Sequence, residues 1–259
     1  MRRPRAQASI LVALIASAAL VGLDLSRSGR ADNAQAQTPL VAATSAAPVE
    51  PVELTPAPTP VETSAPPVIV HAGPGTFEYA AGRDAIMGTA GAVQRYRVAV
   101  EDGIGVLPEE FAAEVDRVLA DPRSWIRGEQ VRFERVGPED GAAFTIYLAT
   151  PVTSERMCRE DWLETEQFTN CRLGSGKVII NLARWLTAVP DYGAPIDVYR
   201  AYAINHEVGH QLGNGHEVCP GPGQPAPVMQ QQTYGLQGCV ANGWPYLEGE
   251  RYHGPGASQ

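Results

Sequence analysis

Lysine is almost missing from this chain: Lys177 is the only one, and basic charge is carried by arginine. The 20 basic residues are outnumbered by 29 acidic ones, a net charge of −9 with no basic stripe, which argues against nucleic acid as a partner. Acidic balance by itself serves solubility and says little about binding. The N-terminal apolar run, residues 8–23, is long for a signal-peptide core and short for a spanning helix. Cysteine is scarce, with four residues and none before position 158, so the N-terminal region holds no thiol that could cap a metal. Histidine is scarce too, yet three of the five fall within residues 206–216.

Ahead of the apolar run stand Arg2, Arg3 and Arg5, a positive flank that keeps the N-terminus inside and sends the rest of the chain out of the cytoplasm. A cleaved signal, with Ala34-Gln35-Ala36 as a small-residue site, and an uncleaved membrane anchor both fit residues 1–25. Residues 26–72 are rich in Ala, Pro, Thr and Val, and repeated prolines deny them helix or central strand. They read as a semi-extended disordered tether. The working domain is expected over 73–259, extracytoplasmic, and secreted or held at the membrane by its leader.

Residues 206–216 read HEVGHQLGNGH. The preceding IDVYRAYAIN places Ile196, Tyr199, Tyr202 and Ala203 at the spacing of one helix face. A helix running through position 210 puts His206 and His210 one turn apart on the same face, where two imidazoles can share one metal ion. Glu207 lies about 100° around the helix and is free to act as a base toward water on the metal. Gly213 falls where a chain leaving a helix needs a positive φ. The turn then returns His216 as a third ligand, which leaves a tetrahedral zinc one open position, the mark of a catalytic site.

His206, Glu207, His210, Gly213 and His216 match every fixed position of HExxHxxGxxH, and on them the chain resembles the metzincin zinc peptidases. The resemblance implies one Zn2+ per chain held by the three histidines, with Glu207 as catalytic general base. It implies a turn carrying a Met beneath the ligands, for which Met229 in PAPVMQ is the match. Several such families place a Tyr two residues after that Met; here the position is Gln231, and Tyr234 is the nearby candidate for an oxyanion donor. Glu217 echoes astacin-like sequences, with a surface carboxylate as the plainer reading. From RYRVAVE through DPRSW and the zinc motif to NGWPY, the chain is also similar to a family of actinobacterial secreted proteins with a zincin-like domain of unassigned function.

The expected fold class is α+β: a mixed, twisted sheet packed on the active-site helix, zincin-like, with a small irregular disulfide-stapled C-terminal part. Strands are expected at 95–101, 131–136 and 143–149, and a helix at 108–120, opened by Pro108 and two glutamates. An irregular insert follows over 150–167. FTNCRL and KVIINL then flank Gly174-Ser175-Gly176 as a hairpin. By analogy with metzincins, residues 168–173 are the edge strand that pairs with substrate, ahead of 145–149. In an exported chain four cysteines read as two disulfides, and pairing 158–171 and 219–239 closes two short loops. His71 and His253 read as solvated.

The function expected is hydrolysis of peptide bonds in a peptide or protein substrate, by a monomer. Two alternatives stand beside it: a zinc amidase acting on cell-wall peptide, and a zinc-containing binding module without catalysis. An intact Glu207 weighs against the last, since a binding module has no need of a general base.

Overall fold

The computed structural model describes residues 67–83 and 85–257. The leader, nearly all of the tether and Asp84 therefore lie outside the described residues. Among the described residues no helix is long and apolar enough to cross a membrane. The final residues assigned by composition to the tether lie against the domain: Val70 packs on the core, and the His71 carbonyl accepts from Val152 N–H at 3.1 Å.

The domain is α+β, built on a mixed sheet. Its centre is three apolar strands, β3 (Ala92–Glu101), β5 (Phe144–Ala149) and β7 (Lys177–Asn181), paired in parallel in that order. Near-continuous runs such as FTIYLA and VII suit strands covered on both faces. β4 (Val131–Arg135) runs parallel along the first half of β3, and β1 (Phe77–Tyr79) runs antiparallel along its second half. β2 (Ile86–Met87) closes one side of the sheet. The other side ends in β6 (Cys171–Leu173), antiparallel to β7 across the expected hairpin.

α1 (Pro108–Leu119) crosses from β3 to β4 and buries Phe111, Val115, Val118 and Leu119 on one sheet face. α4 (Ile196–Gln211) packs on the same face through Tyr199, Ala203 and Ile204, against Val98, Ile146, Leu148 and Ile180. The opposite face is covered by α2 (Pro151–Cys158), whose Met157 and Cys158 meet Leu173 and Ile179.

α2 corrects the expectation of an irregular insert. Thr150 caps it by accepting from Thr153 N–H, and Pro151 stands in its first turn. The buried Glu101 carboxylate accepts from Thr150 N–H at 2.7 Å and Thr153 Oγ1 at 2.6 Å, placing negative charge at the helix N-terminus. A second correction concerns 168–173, where only Cys171–Leu173 pairs. The residues before it turn instead, with Glu166 and Gln167 in the left-handed region and Phe168 N–H bonded to Thr165 O.

α3 (Leu182–Thr187) follows β7 directly, capped by Asn181. Beyond α4 the chain is largely irregular, apart from short turns and the ribbon β8 (Tyr246–Leu247) with β9 (Glu250–Arg251). Two disulfides join Cys158 to Cys171 and Cys219 to Cys239, as the loop lengths favoured.

Candidate metal centre

The last turns of α4 carry His206 and Glu207, both buried, and His210, half-buried. The helix ends at Gln211, and Gly213 takes φ +91° while its N–H donates to His210 O at 3.0 Å. A side chain is strained in that conformation, so glycine is needed for the chain to reverse. Asn214 then holds the helix end with its backbone N–H and its side-chain Nδ2, both donating to Gly209 O. His216 is brought back to the two helix histidines.

The three rings converge through Nε2. His210 Nε2 lies 3.2 Å from His206 Nε2 and 3.1 Å from His216 Nε2, and the three ligand atoms all fall within 4.8 Å of one another. His206 Nδ1 faces Val228 O at 2.8 Å, and His210 Nδ1 faces Asn214 O at 2.9 Å. A carbonyl only accepts, so each Nδ1 carries the hydrogen and each neutral ring turns a bare Nε2 lone pair inward. Two lone pairs 3.2 Å apart repel each other, and a shared cation relieves that. Nitrogens about 2.0–2.1 Å from a tetrahedral zinc stand about 3.3 Å apart, close to the spacing here. The donor set fits the ion.

Electrostatics point the same way. Burial pushes His206 down to about 3, helped by His210 and His216 beside it. His210 is also lowered, first by burial and despite its bond to Asn214, and His216 is lowered by burial. Rings held neutral are the form that ligates. Glu207 is buried beside them but outside the converging set, and burial alone raises its carboxyl to about 8.

Met229 is fully buried against the helix at Gly209. A Cβ on Gly209 would overlap Met229 Sδ and stand 2.7 Å from Trp125 Cζ2, so this glycine permits the close approach. Because Val228 precedes Met229, packing of the Met sets the carbonyl that orients His206.

The centre opens into a cleft of about 560 Å³. It is lined by Asn170, by Cys171 and Arg172 of the edge strand, and by Gln231, Thr233 and Tyr234. Tyr234 is 61% exposed, its ring beside that of Phe168, and burial of its neighbourhood raises its hydroxyl. The segment before β6 adds Trp162, 92% exposed, and Leu163 to the rim. It is held down by the Glu155 carboxylate, which accepts from Thr165 and Gln167 N–H.

Glu217 is not a surface carboxylate. It pairs with Arg251 Nη2 at 3.0 Å, both side chains largely enclosed, while His253, exposed to solvent as expected, sets its Nδ1 3.2 Å from the same carboxylate. The orienting carbonyls of Val228 and Asn214 went unread in the sequence, because a backbone acceptor leaves no residue signature. The rim residues Trp162 and Leu163 were hidden within the supposed insert, although an apolar pair in a polar stretch was visible there.

No curated protein and no solved structure matches this chain. A family model described as "Protein of unknown function (DUF3152)" matches residues 65–246, a span that takes in the sheet, α4 and all three converging histidines. The chain belongs to the DUF3152 family.

Proposed function

We propose that the protein is an extracytoplasmic zinc-dependent peptidase with a metzincin-type fold. One observation carries this reading: two histidines fixed by backbone carbonyls bring their bare Nε2 atoms to 3.2 Å, and the second of them, His210, stands 3.1 Å from Nε2 of the third, His216. His206, His210 and His216 would hold the ion. When bound, zinc acidifies water and polarises a carbonyl as a Lewis acid.

The chain's own groups do the rest. Glu207 takes a proton from the attacking water and returns it to the leaving amine. Burial raises its carboxyl to about 8, and a cation held by the three histidines would draw it down toward the range where it gives and takes protons near neutral pH. The edge strand offers backbone donors and acceptors on which an extended peptide can lie. Tyr234 Oη is the candidate donor to the developing oxyanion. Two disulfides support an oxidising, extracytoplasmic setting.

The test begins with metal analysis of the purified protein. One zinc per chain is expected, lost in His210→Ala and kept in Glu207→Gln. Protein and cell-wall peptide substrates are then screened in parallel, with cleavage expected from the native protein and none from Glu207→Gln. Folded protein that takes up no zinc, or a Glu207→Gln variant as active as the native chain, would sink the proposal.

A further inference from the structure

Among the described residues, Arg172 is the only lysine or arginine lining the cleft. It lies on β6 between Cys171 and Leu173, whose side chains are buried among the residues covering the α2 face of the sheet. Alternation along a strand turns Arg172 to the other face, toward the end of α4. There its Nε donates to Gln211 Oε1 at 2.9 Å, and Gln211 is the residue after the candidate ligand His210. That bond holds the plane of the guanidinium. Among the described residues no carboxylate lies within ion-pair distance of Arg172, and neither Nη donates to a protein acceptor. Glu164, also on the cleft wall, does not pair with it. A guanidinium fixed through Nε with both Nη atoms free presents the fork that receives a carboxylate.

We infer that Arg172 selects peptide substrates carrying a carboxylate close to the bond cleaved. An acidic side chain and a terminal α-carboxylate share that chemistry. The inference rests on the peptidase reading, because it takes the three histidines as the reacting centre. The neutral part of the cleft receives the remaining backbone, and the exposed Trp162 and Leu163 on the rim suit an apolar residue farther along.

Peptide hydroxamates separate the two claims, because the hydroxamate anchors at the zinc and fixes the distance to each substituent. Three probes of one length are used: one bearing Glu, one bearing Gln at that position, and one with Gln and a free C-terminal carboxylate. Each is made with the variable group one and two residues from the anchor. Binding to the zinc-loaded protein is measured by calorimetry.

The expected result is that at least one carboxylate probe binds the native protein about tenfold or more tightly than its neutral match. Which one does so distinguishes side chain from terminus. In Arg172→Gln the preference disappears while the neutral probe binds as before, and in Arg172→Lys part of it remains. Equal binding of acidic and neutral probes to the native protein overturns the inference and leaves the peptidase centre standing. So does a preference that survives in Arg172→Gln. Failure of every hydroxamate to bind zinc-loaded protein overturns the centre and the inference together. Should Arg172→Gln fail to fold, the native comparison and Arg172→Lys still decide.

Discussion

His206 Nδ1 lies 2.8 Å from the carbonyl oxygen of Val228, the residue before Met229. The orientation of a candidate ligand on α4 thus depends on a loop beyond the motif, and that loop is located by Met229 packing at Gly209. Met229→Ala should cost about 2–5 kcal/mol of stability. It should also weaken zinc binding by about 10–100-fold, the usual price of disturbing a ligand's outer partner. Gly209→Ala should act in the same direction, at about 1–3 kcal/mol, because the Trp125 ring cannot yield. Urea unfolding and chelator competition read the two effects separately, and unchanged zinc affinity in both variants would count against the coupling.

Stability of the metal-free protein should depend on pH in opposed directions through Glu207 and through the lowered histidines, of which His206 has the deepest shift. Glu207 is raised from 4.5 to about 8, so between those values the unfolded chain ionises it while the folded chain does not, and stability falls as pH rises. His206 is lowered from 6.5 to about 3, so its contribution is whole above 6.5 and is lost as pH falls toward 3. Glu207→Gln should flatten the first limb, worth at most about 1.4 kcal/mol per pH unit, and leave the acid limb in place. Denaturation midpoints across pH 3–9 test this, and parallel profiles for the two proteins would contradict it.

The Cys158–Cys171 bridge closes a loop with a sequence separation of 13 and ties α2 to the cleft's edge strand. Replacing both with Ser should lower stability by about 3 kcal/mol through the freed loop. Zinc stoichiometry should stay at one, because none of the three histidines hangs on that loop. Loss of zinc in the folded double variant would mean the edge strand supports the centre more directly than its contacts indicate.

Glu217 follows His216 and is paired with Arg251 in a largely enclosed site. Glu217→Gln leaves the Arg251 charge without its partner, at about 3 kcal/mol. The loss should fall on the segment that presents His216, so zinc should be released at lower chelator concentration than from the native protein. Thermal unfolding with and without zinc reads both, and native-like release would limit the pair to a role in stability.

Much of the centre was legible because its geometry is local. A helix repeats itself, so two histidines four apart must share a face, and Gly213 announces the reversal that returns the third. The apolar strands around Ile146 and Ile179 were legible for the same reason, since burial on both faces leaves few polar residues to break the run. α2 was not, because only a turn or two separates its Thr150-Pro151 start from its end, and its cap is completed by Glu101 from another strand. Glu217 misled because its partners, Arg251 and His253, lie far along the chain. The cleft's charge was also unreadable, since it takes the pairing of β6 with β7 to decide which way Arg172 faces.

His216 is tied through its backbone carbonyl to Ala257 N–H at 3.0 Å, and the neighbouring Val218 N–H donates to Pro255 O at 2.8 Å. A chain still on the ribosome or in transit through a translocation channel lacks those ties until residues 255–257 have emerged. The first two histidines share one helix, whereas the segment of the third is tied to residues about 40 positions farther along the chain. If the domain is exported as proposed, those ties would form only after nearly all of the described residues had crossed, and metal would be taken up on the far side of the membrane and not from cytoplasmic stores.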